Sequence, residues 1–365
     1  MGFYRDVPKP HCWPPPTDAR SIQSLIQYAK DRDPRGDKIH IAFACLFMAC
    51  LPLATAPASI SMTALVILFL LRIPVVWRTV MPVFISKAYL AMLAWAACST
   101  LSILWSSDQT MGLDHASSMW FMAILLPPLI WPVIDRWKWL VGGFLFGVLV
   151  QNCVQIGQFV MPLLDAPYNE FFPEPKSRNR PAGLTSHPGN STIFMACAAM
   201  TWLLISIKIP KLKFISWVGL SLSVFGIVIA QSRGVWLGFT LSMLLLVVLL
   251  VKNKTLSIKR VGWIGLFVIV LSAASSSVVF NNITKRIKDI PIAFDAIAHG
   301  EEIKSGTYVR IKWWKTTFEQ SFESPFVKNV LVGHGLGSSG HVRCTGTTQS
   351  ASHPHNAFVQ ILYEC

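Results

Sequence analysis

Arginine and histidine residues recur in this sequence in the segments that separate long apolar stretches. The residues concerned are Arg180, Arg233, Arg310, His353 and His355, and Asn356 directly follows the last of them. The planar guanidinium of arginine binds phosphate oxygens through two parallel hydrogen bonds and keeps its charge at low dielectric. A histidine can take a proton from an attacking hydroxyl near neutral pH. Together these residue types suit a transfer reaction on an anionic, phosphate-bearing ligand.

Each of these residues also has a simpler interpretation. Arg233 lies between two apolar runs, where a lone arginine often extends to lipid headgroups. Arg310 stands beside two tryptophans and suits an interfacial anchor, and Arg180 suits an ordinary loop position. His353 and His355 could cap a helix or bind a metal. Taken singly, these residues do not decide between the two interpretations.

Several motifs of other enzyme classes are absent from the sequence. It has no Asp-x-Asp pair of the metal-using glycosyltransferase kind, no His-Glu-x-x-His and no Gly-x-Ser-x-Gly. Gly333-His-Gly-Leu-Gly337 resembles a phosphate loop, but no Gly-Lys-Ser/Thr follows it, so tight turns explain it better. We therefore expect arginine rather than a metal ion to stabilise a departing phosphate, with no metal and no cofactor.

The composition indicates a membrane protein. Of the 365 residues, 53% are hydrophobic and only 14% are charged, whereas about a quarter are charged in an ordinary soluble domain. The net charge of +14 does not indicate nucleic-acid binding, because the basic residues form short clusters between apolar runs. Most of the cysteines lie inside those runs, which argues against a disulfide framework.

About ten apolar runs define the predicted fold, an all-α, polytopic helical membrane protein. A spanning helix needs about 20 apolar residues. Such runs cover residues 39–57, 58–77, 84–105, 116–134, 139–163, 190–207, 214–231, 234–251 and 261–280, and a tenth begins near residue 355. Residues 355–365 are too few to cross a bilayer, so we expect the start of a truncated transmembrane helix there.

The distribution of lysine and arginine predicts the orientation. With a cytoplasmic N-terminus, 19 of the 32 basic residues are cytoplasmic, and nine of the others share one long loop. Short loops decide orientation by the positive-inside rule, whereas long loops cross largely regardless of charge. We therefore predict a cytoplasmic segment over residues 1–38, a membrane domain of about nine helices over 39–280, and a long external loop over 281–354 between the last two helices.

Four motifs carry a resemblance to a known family. They are Arg180-Pro-Ala-Gly before a helix, Ser232-Arg233-Gly234-Val-Trp at a helix junction, Arg310 with Trp313-Trp314 in the long loop, and His353-Pro-His-Asn-Ala-Phe-Val-Gln-Ile-Leu-Tyr-Glu364. In these motifs the chain resembles the O-antigen ligase and O-antigen polymerase superfamily of the bacterial inner membrane. Members of that family usually continue past the final glutamate with a glycine and one or two more membrane helices.

The resemblance implies a glycosyltransferase that works on the periplasmic face. Such enzymes take a glycan from undecaprenyl diphosphate and pass it to a hydroxyl acceptor, which in the ligases belongs to lipid A-core. By this resemblance, Arg233 and Arg310 bind the diphosphate, and His355 acts as general base or orients the acceptor. Arg180 and Asn356 would support substrate binding, and His353 is the alternative base.

Other functions remain open at this point. The acceptor would be another lipid-linked repeat in a polymerase, or a protein Ser or Thr in a protein O-oligosaccharyltransferase. A transporter of lipid-linked sugars should carry ionisable residues near the bilayer midplane, whereas Lys87 and Arg72 lie towards the ends of their runs. A structural membrane protein without catalysis is the remaining alternative.

Overall fold

The computed structural model describes residues 22–106, 108–120, 124–169, 171–174, 181–185, 188–230, 232–254 and 276–301, with a few further residues between 303 and 319. These residues are mainly helical, and none of them lies in a β-strand. The α-helices are Ile22–Arg32 (α1), Pro34–Cys50 (α2), Thr55–Phe84 (α3), Lys87–Leu101 (α4), Gln109–Trp120 (α5), Leu126–Ile130 (α6), Trp137–Val160 (α7), Pro188–Lys208 (α8), Lys213–Ile229 (α9), Arg233–Lys252 (α10) and Ser276–His299 (α11).

Five segments of the described chain are long and apolar enough to cross a membrane. They are Thr55–Phe84, Lys87–Trp105, Leu126–Leu164, Pro188–Lys208 and Pro210–Ile229. This finding agrees with the predicted helical membrane protein. The predicted total of about ten spans is not confirmed. The runs 39–57 and 234–251 are not among the five segments, the run 116–134 has no segment of its own, and residues 255–275 and 320–365 lie outside the described residues.

The helix bounds differ from several of the predicted runs. Helix α3 continues through residues 78–83, which were expected to form a loop, and ends at Phe84. The expected run 116–134 is divided between α5, α6 and a 3₁₀ segment, because its prolines remove backbone donors and interrupt a regular helix. Helix α11 covers residues 281–299 of the predicted long loop, and the border between that loop and the membrane domain stays a prediction.

Glycines allow α2 and α7 to pack closely and in parallel. A Cβ atom at Gly143 would lie 2.6 Å from the carbonyl oxygen of Cys45, and one at Gly147 would overlap the carbonyl of Ala49. Small residues of this kind let backbones approach each other in membrane helix pairs. The matching order of these contacts shows that both helices run in the same direction.

Helices α8, α9 and α10 continue the bundle in alternating directions. Phe144 of α7 meets Phe194 of α8 edge to face, with ring centroids 6.4 Å apart. A second cluster joins Leu203 of α8 to Leu220 of α9 and Leu250 of α10. These contacts place the C-termini of α7 and α9 beside the N-termini of α8 and α10.

The two ends of this bundle differ in charge. One end, here called the basic end, carries the start of α2, α7 and α9 and the last residues of α8 and α10. Within these five helices, every described lysine and arginine except Arg233 lies towards the basic end, namely Arg35, Lys38, Lys138, Lys208, Lys213 and Lys252. This asymmetry agrees with the positive-inside pattern from which the orientation was predicted.

A buried ionic network holds the basic end together. Arg72 is 4% exposed and donates from Nε to Asp33 at 2.8 Å and from Nη1 to Nδ1 of His40 at 2.9 Å. His40 donates from Nε2 to the carbonyl oxygen of Leu129 at 2.7 Å, and these partners identify the ring as the neutral Nε2–H tautomer. Because α3 extends to Phe84, Arg72 lies well inside the helix, which corrects its expected place towards the end of a run.

Removing the Arg72 side chain should therefore weaken the bundle. We expect Arg72→Ala to lower the free energy of unfolding by about 2–3 kcal/mol, because it leaves Asp33 and the imidazole of His40 without their partner in a partly buried site. Lys87→Ala, at the exposed start of α4, is the matched control. Thermal unfolding in detergent measures both, and an equal melting temperature for the two variants would contradict this role.

Candidate functional site

The predicted site residues fall almost entirely outside the described part of the chain. Arg180, Arg310, His353, His355 and Asn356 are not described. Arg233 is described in its backbone alone, as the first residue of α10. The expected meeting of these side chains thus stays a prediction, and the structure describes the elements on either side of Arg180 and Arg233.

Three glutamines of α7 hold the segment that follows Arg180. Gln151, Gln155 and Gln158 recur at spacings of four and three residues, so they share one face of the helix. All three are at most 2% exposed. Their amide groups face residues 181–184, and we call this set the glutamine ladder.

The first and last glutamines of the ladder, Gln151 and Gln158, each bind backbone groups of the turn. Gln158 accepts at Oε1 from the backbone N–H of Ala182 at 3.0 Å and of Gly183 at 2.8 Å. Gln151 donates to the carbonyl of Ala182 at 2.8 Å and accepts from the N–H of Leu184 at 2.9 Å. Side-chain amides thereby replace the backbone partners that a buried turn lacks.

Gly183 has the backbone conformation that this turn requires. Its φ of +63° lies in the left-handed region, and a Cβ atom there would overlap the Gln151 amide. Glycine alone meets both conditions without strain. The glycine of the Arg-Pro-Ala-Gly motif is therefore explained by the glutamine ladder.

Gln155 connects this turn to the helix that precedes Arg233. Its Nε2 donates to the carbonyl of Pro181 at 3.2 Å and to the carbonyl of Gly226, near the end of α9, at 3.0 Å. One amide group thus joins the residue after Arg180 to the helix that ends four residues before Arg233. The structure brings together the neighbourhoods of two predicted phosphate-binding arginines.

The α9–α10 junction is fixed by a residue of its own motif. Trp236 donates from its indole nitrogen to the carbonyl of Ile227 at 2.7 Å, which ties the first turn of α10 back to α9. Ser232 at the junction has an extended conformation and precedes Arg233 as the N-cap. The backbone of Arg233 is therefore held at the same end of the bundle as the glutamine ladder.

Two buried amide oxygens lie beside this junction. Oδ1 of Asn152 and Oε1 of Gln155 are buried and have no hydrogen-bond partner among the described residues. A Cβ atom at Gly226 would lie 2.6 Å from Oδ1 of Asn152, which places that oxygen against α9. Both oxygens are available to an N–H donor.

A groove opens beside the turn, between the α2–α3 connection and the start of α8. Its volume is about 300 Å³, and its lining combines aromatic and aliphatic side chains with Thr55, Ser59, Thr185 and Asn190. Asn190 lies in the first turn of α8, two residues after Pro188. The groove therefore offers both apolar surface and hydroxyl or amide groups next to the segment that carries Arg180.

The segment after α7 covers the end of the glutamine ladder. Gln158 donates to the carbonyl of Pro173 at 2.9 Å, and a Cβ atom at Gly157 would overlap the ring of Phe172. Burial, assisted by the charge of Glu174, raises the pKa of Tyr168 above its usual value. The phenol of Tyr168 therefore remains a neutral donor at this end of the bundle under physiological conditions.

Residues 218–365 match the family model described as O-antigen ligase. The carboxy-terminal part of the chain is thus similar to the O-antigen ligase family. The resemblance found in the motifs is confirmed by this match. No curated protein and no solved structure matches the chain.

The part of the chain that matches the O-antigen ligase family begins inside α9. It includes Arg233, Arg310, His353 and His355, whereas Arg180 and the glutamine ladder precede it. Motif reasoning missed the ladder because glutamine carries no reaction of its own. The signal was nevertheless visible, since four amide side chains within residues 151–158 are unusual in an apolar run.

Substitution of Gly183 tests the fit between turn and ladder. We expect Gly183→Ala to lower the melting temperature, because a methyl group would push the turn away from Gln151. Gly142→Ala is the control on α7, since a Cβ atom there would meet nothing within 4 Å. A melting temperature of Gly183→Ala equal to that of the control would show that the turn tolerates another geometry.

Proposed function

We propose that this chain transfers a glycan from undecaprenyl diphosphate to a hydroxyl of lipid A-core, as an O-antigen ligase. The protein lies in the bacterial inner membrane with a cytoplasmic N-terminus, and the reaction occurs at the periplasmic face. The O-antigen ligase match supports the class of reaction. The donor, the acceptor and the roles of individual residues belong to the proposal.

The two hydrogen bonds of Gln155 are the observation that carries the site. Through these bonds one amide group contacts both Pro181, the residue after Arg180, and Gly226, near the end of the helix that precedes Arg233. This end of the five-helix bundle carries no other described arginine or lysine. The other end carries the basic residues that the positive-inside rule expects. An arginine at the end without such a cluster is suited to binding a ligand rather than to fixing the orientation of the chain in the membrane.

In the proposed reaction the acceptor hydroxyl attacks the anomeric carbon of the donor glycan. A bond forms between the acceptor oxygen and that carbon as the bond from the carbon to the diphosphate oxygen breaks, with inversion. His355 takes the hydroxyl proton, with His353 as the alternative base and Asn356 supporting its position. Arg233 and Arg310 bind the departing diphosphate, and Arg180 contributes a further contact.

The buried oxygens of Asn152 and Gln155 fit this arrangement. An arginine has five N–H donors, and binding a phosphate uses only some of them. In the proposal, the guanidinium of Arg233 or Arg180 donates its remaining N–H groups to these amide oxygens. Neutral acceptors of this kind orient a guanidinium without cancelling its charge.

Replacement of Arg233 tests the diphosphate site. We expect Arg233→Ala to reduce transfer about a hundredfold, because one donor of a preorganised anion site is worth roughly 3 kcal/mol in the transition state. Lys252→Ala, at the other end of the same helix, is the control. The readout is product formed from lipid-linked donor and core acceptor by purified protein without a membrane gradient.

The same assay separates the remaining functions. Product formed without a gradient excludes a transporter, and normal complementation by Arg233→Ala and His355→Ala would instead indicate a structural protein. Gel analysis of lipopolysaccharide from a deletion strain separates ligase from polymerase. A ligase deletion removes all capped bands, whereas a polymerase deletion leaves the band with a single repeat.

A further inference from the structure

A second groove lies at the basic end of the bundle, remote from the glutamine ladder. It is formed by Lys38, Ile41, Ala42 and Cys45 of α2 together with Arg136 and Trp139, and its volume is about 430 Å³. The four α2 residues are spaced by three, one and three positions, so they form one stripe along the helix. The volume falls within the usual range of small-molecule sites.

The groove changes from charged to apolar along its length. Lys38 and Arg136 lie at the charged end of the groove, where α2 and α7 begin. From Lys38 to Cys45 the helix rises by about 10 Å towards the middle of the membrane, and the intervening side chains are apolar. The groove ends where the helices touch, because Gly143 packs against the carbonyl of Cys45.

Cationic and aromatic side chains surround the charged end of the groove. Lys38 is exposed, and Trp139 is 70% exposed. Arg136 pairs with the buried Asp37 and keeps 23% of its side chain exposed. Because Arg136 and Asp37 offset each other, Lys38 gives the groove its net positive charge.

Neighbouring residues extend this character to both sides. Arg35 and Lys138 are exposed on the first turns of α2 and α7, and Trp137 is 50% exposed. Tryptophan is enriched where a membrane meets water. The acidic residue Asp135 is paired with Lys30 and therefore does not cancel the positive charge of the rim.

From this arrangement we infer that the groove between α2 and α7 binds an anionic phospholipid of the leaflet at the basic end. Lys38 and Arg136 bind the headgroup phosphate, and an acyl chain lies along Ile41, Ala42 and Cys45 under Trp139. The predicted orientation makes this the cytoplasmic leaflet. Basic pockets between membrane helices on that side are suited to anionic headgroups.

The bound lipid would connect two elements that the ion pair of Arg136 and Asp37 also joins. Arg136 ends the 3₁₀ segment Trp131–Arg136, and Asp37 lies in the first turn of α2. A phosphate between Lys38 and Arg136 would add a further link at this junction. This inference does not depend on the transfer reaction proposed for the opposite end.

Native mass spectrometry of the full chain in detergent tests the inference. Phosphatidylglycerol and phosphatidylcholine with identical acyl chains serve as probes. We expect one tight phosphatidylglycerol site on the wild type, and about fivefold weaker binding for Lys38→Gln because one cationic contact is lost. Lys254→Gln, an exposed lysine after α10, is the control.

A groove-filling variant tests the acyl-chain part of the site. Ala42 is exposed in the groove, so Ala42→Trp should fold and displace the lipid, whereas Ala94→Trp on the exposed face of α4 should not. Melting temperatures of both variants identify any failure to fold. Equal binding of the two lipids, unchanged binding by Lys38→Gln and Ala42→Trp, or displacement of phosphatidylglycerol by inorganic phosphate would each overturn the inference.

Discussion

A backbone turn buried among membrane helices must have its N–H and C=O groups bonded within the protein, and the glutamine ladder meets this requirement. In a hydrocarbon environment an unpaired backbone group costs several kcal/mol, so a non-helical segment survives only where protein partners replace water. Gln151, Gln155 and Gln158 supply both donors and acceptors to residues 181–184. The path of residues 181–184 follows from these bonds.

The choice of glutamine rather than a charged residue has a consequence for function. At the basic end three described acids are paired with cations: Asp33 with Arg72, Asp37 with Arg136, and Asp135 with Lys30. In the proposed site, a carboxylate at position 155 would likewise offset the charge of Arg180 or Arg233. A neutral amide holds the turn without adding a negative charge beside the proposed anionic ligand.

Hydropathy predicted the helices near the site well and those near the N-terminus less well. The expected runs 190–207, 214–231 and 234–251 correspond closely to α8, α9 and α10, since polar or glycine-containing turns separate them. Helix α3 extends beyond its expected run because helical hydrogen bonding continues past the apolar stretch. The ladder could not be derived from reactive motifs, because its contacts join residues up to 71 positions apart.

The structure also separates the motif residues that fold the chain from those left for a ligand. Pro181 and Ala182 are buried against the ladder, Gly183 provides the left-handed turn, and Trp236 ties the α9–α10 junction. These roles account for Pro181, Ala182 and Gly183 of the first motif and for Trp236 of the second. The proposed diphosphate site would need two supports of this kind, each next to an arginine and joined through Gln155, because an anion site stabilises a transition state only when its donors are already in place.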